Sequence, residues 1–569
     1  MNNLMCTTFA RAPWRMLTIL SSLFFAVHSG ATAAVIRDIS SDGNQTGLYE
    51  TIEYQLTIEA LEGDPFDQRQ TALDLIATAP SGKSLRVPGF YQHDSEPKGW
   101  RVRFTPQEQG TYRLQFELLK NGAQEDGKKA PDLMVIASGK DGFLKPNDLW
   151  TWKYDSGRPF RAIGENVCWE GEWRGKHYSY DQLLSELSLN GANFYRTWMC
   201  YWNLPVEWKK VQAGGINQES TSTYNESAVK RFDQLIQLNE RLQLHMMLAI
   251  DWHGAIMTHD KWPMYSYNVV NGGPCETPRD FFTHPEAKAL YKNRLRYLVA
   301  RFGCSPSIAA WEFFNEVDNT AFPENIPHEA VTSWHREMSD YLKSVDPYGR
   351  IVTTSVSHRD IEGMNDLPSI DLNQRHIYIH TADIPKTLRS YAQAHGKAYA
   401  IGEGGYDWDW NKIFDWRGEE FDDHFKRGLW YGLFSPTPVL PMSWWWEFFH
   451  ERGMIPYFRI VRAVHERMIL DGGGSYAEES IVSEGIEAYA VRCGQSVFVY
   501  VRNGNAESVE AKIRIPGMNS GSYHVESIDP ETSILSVRSG LNAQPDGLDI
   551  DKIQLKRSQQ LILITHKAD

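Results

Sequence analysis

The stretch Ser307-Ile308-Ala309-Ala310-Trp311-Glu312-Phe313-Phe314-Asn315-Glu316-Val317 decides the fold. Its apolar run has the length of a buried strand and ends in an Asn-Glu pair, after which the chain turns polar. The same grammar returns in Ala398-Tyr399-Ala400-Ile401-Gly402-Glu403-Gly404-Gly405, where an apolar strand again delivers one glutamate at its carboxyl end. These are read as strands four and seven of a longer alternation. Strand one is placed at Phe160–Gly164, and the helix after it, Tyr180–Leu189, sets Leu183, Leu184 and Leu187 on one face before Asn190-Gly191 stops it. Strand two is Asn193–Trp198, followed by a helix over 227–242 with Val229, Phe232, Leu235 and Ile236 in register. Strand three, Leu244–Ile250, runs into Asp251-Trp252-His253 and then a Gly-, Pro- and aromatic-rich insertion, Lys261–Thr283. Helices follow from Pro285 and around Trp334, and strands five, six and eight are read at Ile351–Ser355, Arg375–His380 and Val439–Trp446.

Strand and helix alternating in this way over residues 145–470 predict an α/β fold, a (β/α)8 TIM barrel with insertions. An open doubly wound sheet is the rival, but no Gly-rich phosphate loop accompanies it. On either side the pattern changes to short alternating runs separated by turns, such as Thr111–Phe116 before the barrel and Val497–Arg502 after it. An N-terminal β-sandwich over 35–140 and a C-terminal β-sandwich over 475–569 are therefore expected, the second joined at Gly472-Gly473-Gly474. A chain of 569 residues is too long for one ordinary core, which agrees with such a division.

Arg11 and Arg15 precede the apolar run Leu17–Val27 and the small residues Ser29–Ala34, the order of a secretory signal over residues 1–33. The protein is accordingly expected to be secreted or periplasmic, with no membrane span left after processing. Losing Arg11 and Arg15 takes the net charge from −14 to −16. So acidic a surface disfavours nucleic acid and anionic membranes as partners, and a strongly anionic polysaccharide too unless a local basic patch overrides it. The cysteines remaining beyond the signal are Cys168, Cys200, Cys275, Cys304 and Cys493, with no CxxC pair. Free buried thiols are favoured, with one Cys168–Cys200 bridge as the alternative.

Two glutamates, each at the tip of a parallel strand, are what glycoside hydrolysis requires. Asp251 and Glu312 read as structural carboxylates paired inside the barrel, and His380 as a satisfied core histidine. A metal-dependent hydrolase is a rival because Asp251, His253, His376 and His380 are ligand types, but Phe160–Asn166 holds no histidine of the kind amidohydrolase barrels use. A non-catalytic sugar-binding protein is a second rival.

The residues resemble clan A of the glycoside hydrolases, most closely family 5. In that family the acid/base glutamate follows an asparagine at the end of strand four and the nucleophile ends strand seven. The resemblance implies Asn315-Glu316 and Glu403 in those roles, with Arg196 on strand two, His253 on strand three, His376-Ile377-Tyr378 on strand six and one of Trp444–Trp446, centrally Trp445, on strand eight. It further implies a retaining β-glycosidase without cofactor or metal, or a transglycosylase using the same pair, acting on a β-linked carbohydrate such as a mannan, a glucan or an algal galactan. Glu403 is expected ionised and Glu316 protonated at rest. Trp252, Trp262, Trp408 and Trp410 are candidate sugar-stacking residues on loops at the same barrel end. The N-terminal sandwich resembles the small domain that precedes glycosidases of this type.

Overall fold

The computed structural model describes residues 33–208, 210–213, 216–219, 223–409, 411–412 and 418–568. The signal-sequence expectation, and Trp410, lie outside the described residues. No helix among those described is long and apolar enough to cross a membrane.

Seven parallel strands pair in chain order: Gly164–Asn166, Phe194–Trp198, His245–Trp252, Ile308–Asn315, Ile351–Val356, Leu372–Tyr378 and Ala398–Gly405. Strand four is buried along its whole length, as a strand with the barrel interior on one face and helices on the other must be. The helices lie where their apolar spacing puts them, at Tyr180–Leu189, Glu226–Leu242, Pro285–Phe302 and His328–Val345. The first two open on side-chain caps, Ser179 accepting from the Gln182 amide and Asn225 from the Ala228 amide.

Two expectations shift. Pro159–Phe160 pairs with Trp152–Tyr154 in a small antiparallel sheet, so the chain joins the barrel only from Ala162, which bridges to Val439, with the regular first strand at Gly164–Asn166. A Cβ at Gly164 would stand 1.7 Å from the Phe194 carbonyl oxygen, so only glycine admits strand two at this distance. Val439–Trp446 is not a regular strand. It nevertheless closes the barrel: Ala162 and Asn166 donate to the carbonyls of Pro438 and Ser443 on one side, while Met442 and Trp444 donate to Ile401 and Gly404 on the other. Pro438 and Pro441 have no N–H to give, which breaks the ladder without opening the barrel.

Before the barrel lie two antiparallel-rich sheets with their own apolar core around Leu73, Val102 and Phe116. Buried arginines fasten this region to the barrel helices. Arg301 forks onto Asp94 and Asp233, and Arg103 reaches Asp233 and the Arg301 carbonyl. After the barrel, strands between Ala477 and Lys567 form two further sheets. Phe498, Tyr500, Ile562 and Ile564 on one face join the barrel's own hydrophobic core, while Val499, Val501 and Leu563 on the other build a separate one. All five cysteines among the described residues are free and buried.

Candidate active site

Arg196, near the end of strand two, is fully buried and organises the barrel mouth. Its Nε and Nη2 fork onto Glu312 at 2.6 and 2.7 Å, and Nη2 also donates to Asn315 Oδ1 at 2.7 Å. Nη1 donates to Glu403 Oε1 at 2.8 Å and to Asn166 Oδ1 at 3.1 Å. Glu312 thus neutralises the guanidinium within the barrel, and the remaining N–H groups aim a second carboxylate. The other oxygen of Glu403, Oε2, accepts from the Tyr378 hydroxyl at 2.8 Å.

Glu316 sits one residue beyond strand four with φ 55°, a left-handed turn that is uncommon for a side chain of this size. Ser355 holds that turn by accepting from the Glu316 amide at 2.9 Å. Ile379, just past strand six, and Trp445 also take positive φ, so the departures from regular backbone gather at the mouth. The Glu316 carboxylate receives His376 Nδ1 at 2.7 Å and Asn319 Nδ2 at 2.9 Å, with His253 Nδ1 at 3.5 Å. His376 Nδ1 also lies 3.4 Å from Glu403 Oε2. A register shift between strands six and seven brings His376 opposite Glu403, skipping Gly402. A Cβ there would meet Gln374 Oε1 at 2.3 Å and His376 Nε2 at 3.1 Å.

One atom each from Glu316, His376 and Glu403 lies within 4.8 Å of the others, a spacing that could bracket a cation. The 2.7 Å contact between His376 and Glu316 is a hydrogen bond, closer than two ligands usually stand around one ion, so the trio is built to share a proton. Burial raises the Glu316 carboxyl, but the hydrogen bond and charge of His376, with His253 and Arg196, outweigh it and hold Glu316 down to about 2. Burial pushes Glu403 up, Glu316 adding to the rise, while His376, Arg196 and Tyr378 pull the other way without cancelling it. Burial lowers His376, yet the two glutamates together leave it raised. Both shifts favour a proton on His376 beside an ionised Glu316, whereas Glu316 was expected to hold it. The physical reason is that His376 donates to Glu316 more closely than to Glu403.

Arg196, Asn315, Glu316, His376, Tyr378 and Glu403 thus form one hydrogen-bonded cluster, with His253 at its edge, where Asn315 Nδ2 reaches it at 3.3 Å. The tryptophans divide differently. Trp252 is 4% exposed among the rings of Tyr201, Trp202 and Trp208, and Trp445 is 2% exposed with its indole N–H on the Asp407 carbonyl. Trp262 is also buried, whereas Trp408 is 66% exposed. More open indoles at this end are the half-buried Trp169 and Trp202, which pack edge-on to each other. His380 is exposed, not a core histidine. Asn166 and Asn319 were not anticipated; Asn166 follows Glu165 at the end of strand one, where both side chains are buried.

Residues 154–405 match the family model described as cellulase (glycosyl hydrolase family 5). The barrel resembles that of the clan A glycoside hydrolases, family 5 in particular. Residues 45–118, in the preceding sandwich, match a domain of unknown function, DUF5060. "Mannan endo-1,4-beta-mannosidase 3" of Arabidopsis thaliana is 24% identical over 233 residues, covering 38% of this chain and 52% of that protein. "Mannan endo-1,4-beta-mannosidase A" of Aspergillus aculeatus is 25% identical over 255 residues, covering 42% and 63% respectively. The chain spans about half the length of the curated relatives it matches. A glycoside hydrolase family 5 structure from Bacteroides vulgatus is similar with TM-score 0.51 at 12% identity, over 75% of this chain and 94% of that one. At that identity the likeness is one of fold.

Proposed function

We propose that this protein is a secreted retaining β-glycosidase acting on a β-linked poly- or oligosaccharide, with Glu403 as nucleophile and Glu316 as acid/base. The observation that carries the reading is the Glu403 carboxylate clamped at both oxygens by Arg196 and Tyr378, with a Glu316 oxygen within 4.8 Å. Direct attack on an anomeric carbon wants two carboxyl groups about 5–5.5 Å apart, whereas inversion leaves room for a water between them at about 6.5–9.5 Å.

In the first step a Glu403 oxygen bonds to the anomeric carbon, the glycosidic C–O bond breaks, and Glu316 gives a proton to the departing oxygen. In the second, water adds to the anomeric carbon, the glycosyl–Glu403 ester breaks, and Glu316 takes the water's proton. The proton for the first step waits on His376 and crosses the 2.7 Å hydrogen bond as the leaving oxygen arrives at Glu316. Arg196 and Tyr378 fix the direction of attack, and both favour the carboxylate as a leaving group in the second step. Asn315, its Oδ1 taken by Arg196, keeps Nδ2 to donate to the sugar 2-hydroxyl. Trp169, Trp202 and Trp408 supply stacking surface.

The curated relatives make β-mannan the first substrate to try, followed by β-glucans and β-galactans. The test is product release from these polysaccharides and from aryl β-glycosides, with the anomer of the first product read by NMR. Retention of the β-anomer, and its loss in Glu403→Ala, supports the reading. Inversion, or activity surviving in Glu403→Ala, overturns it.

A further inference from the structure

The short helix Asp318–Ala321 continues in helical conformation through Phe322, and it begins two residues after Glu316. Asn319 on this helix donates to Glu316 Oε2, so its side chain stands beside the proposed acid/base. Phe322 is three residues further, and helical side chains at that spacing share a face with their Cβ atoms about 5–6 Å apart. Phe322 is 41% exposed, and the Arg359 guanidinium lies over its ring at 4.8 Å. The loop carrying Arg359 is held in place by Asp318, whose carboxylate accepts from the amides of Ser357, His358 and Arg359 and from the Ser357 hydroxyl.

Two of the neighbouring carboxylates are already engaged. Asp318 is taken by those amides, and Asp360 by Arg375 and Tyr391. Among the described residues no side-chain hydrogen bond or ion pair engages Arg359, and His358 beside it is exposed. A guanidinium over an aromatic ring, with no carboxylate paired to it, can still offer N–H groups to an oxyanion. In a protein of net charge −14 this is an unpaired cation beside the helix that carries Asn319 to Glu316.

Because it lies beyond Glu316, the group that protonates the departing oxygen, this cation is on the leaving-group side of the scissile bond. We infer that Arg359, held by Phe322 and the Asp318-anchored loop, forms a leaving-side subsite for a sugar unit bearing an anionic substituent, a carboxylate or a sulfate ester. The assignment of side rests on the proposed roles of Glu316 and Glu403; the preference for an anion does not.

The test compares calorimetric affinity for matched β-linked oligosaccharides whose reducing-end unit is neutral, a uronic acid, or sulfated. Wild type should bind at least one anionic form about tenfold more tightly than the neutral one, equivalent to about 1.4 kcal/mol, and rising salt should erode the difference. The ratio should fall to near one in Arg359→Ala and be partly kept in Arg359→Lys. The carboxylate and sulfate arms say which oxyanion is preferred. Equal wild-type affinity for neutral and anionic forms, or a preference that survives in Arg359→Ala, overturns the subsite. Turnover of an aryl β-glycoside by wild type is read separately: its absence overturns the hydrolase reading while the affinity ratio still decides the subsite.

Discussion

Two barrel strands end in a buried carboxylate gripped by an arginine and a tyrosine, and the two clusters serve different ends. On strand three, Asp251 accepts from both Nη1 contacts of Arg294 at 3.0 and 3.2 Å and from Tyr265 and Tyr291 at 2.7 and 3.0 Å. Tyr265 comes from the insertion, and Tyr291 and Arg294 from the following helix, so Asp251 staples three elements together in the layer outside the sheet. On strand seven, Glu403 has the same kinds of partner in Arg196 and Tyr378, but it faces the barrel mouth with a second carboxylate and an imidazole beside it. The inventory of residues does not separate a staple from a reaction centre. The face of the strand does, together with a neighbouring group that can hold a proton.

Substitution can break this contrast at either end. Glu403→Ala should lower turnover at least about a thousandfold, roughly 4 kcal/mol of barrier, with the melting temperature little changed. The fold should survive because Arg196 keeps its fork on Glu312. Asp251→Ala should do the converse. Removing one partner of a buried ion pair costs about 3–5 kcal/mol, so thermal unfolding should move down by many degrees while turnover per folded molecule stays near wild type. If Asp251→Ala leaves stability intact, the staple reading is wrong. A smaller effect sharpens the comparison: Tyr378→Phe removes one hydrogen bond to a charged group, about 1.5–3 kcal/mol, which should appear as a drop in kcat of about ten- to a hundredfold. The drop should fall on kcat rather than KM if Tyr378 acts by aiming Glu403.

Much of the barrel was legible because strands two, three, four and seven are apolar runs of strand length bounded by polar turns, and the helices between them show clean amphipathic spacing. Strand one was started too early, at Phe160, because that residue is apolar and strand-like, yet it pairs with Trp152, and nothing local distinguishes one pairing from the other. Strand eight was read as regular because its apolar run is real; Pro438 and Pro441 removed the ladder without removing the closure. At the site, the glutamates could be located from the strand tips that carry them. Asn166 and Asn319 could not, since each matters through a partner brought by the fold, Arg196 for one and the left-handed turn at Glu316 for the other. The direction of the Glu316 shift was not legible for the same reason: which carboxylate His376 approaches more closely depends on a register shift invisible in the sequence.

That proton gives the finest test of the contrast. Glu316 is held at about 2, below the ordinary glutamate value of 4.5, so its ionised form favours the fold above pH 4.5, and that contribution is lost as pH falls toward 2. His376 is shifted the other way, upward from 6.5, so its protonated form contributes fully below pH 6.5 and fades as pH rises through its folded value. Stability measured against pH should therefore fall on the acid side between pH 4.5 and 2, and Glu316→Gln should flatten that limb. It should also weaken the alkaline loss, because His376 would no longer face an anion on its Glu316 side. Asp251→Asn, which leaves the trio alone, should lower the whole curve without removing either change. A wild-type acid limb that persists unchanged in Glu316→Gln would mean that the His376–Glu316 pair does not hold the proton, and that the acid in the first chemical step must be charged directly from solvent.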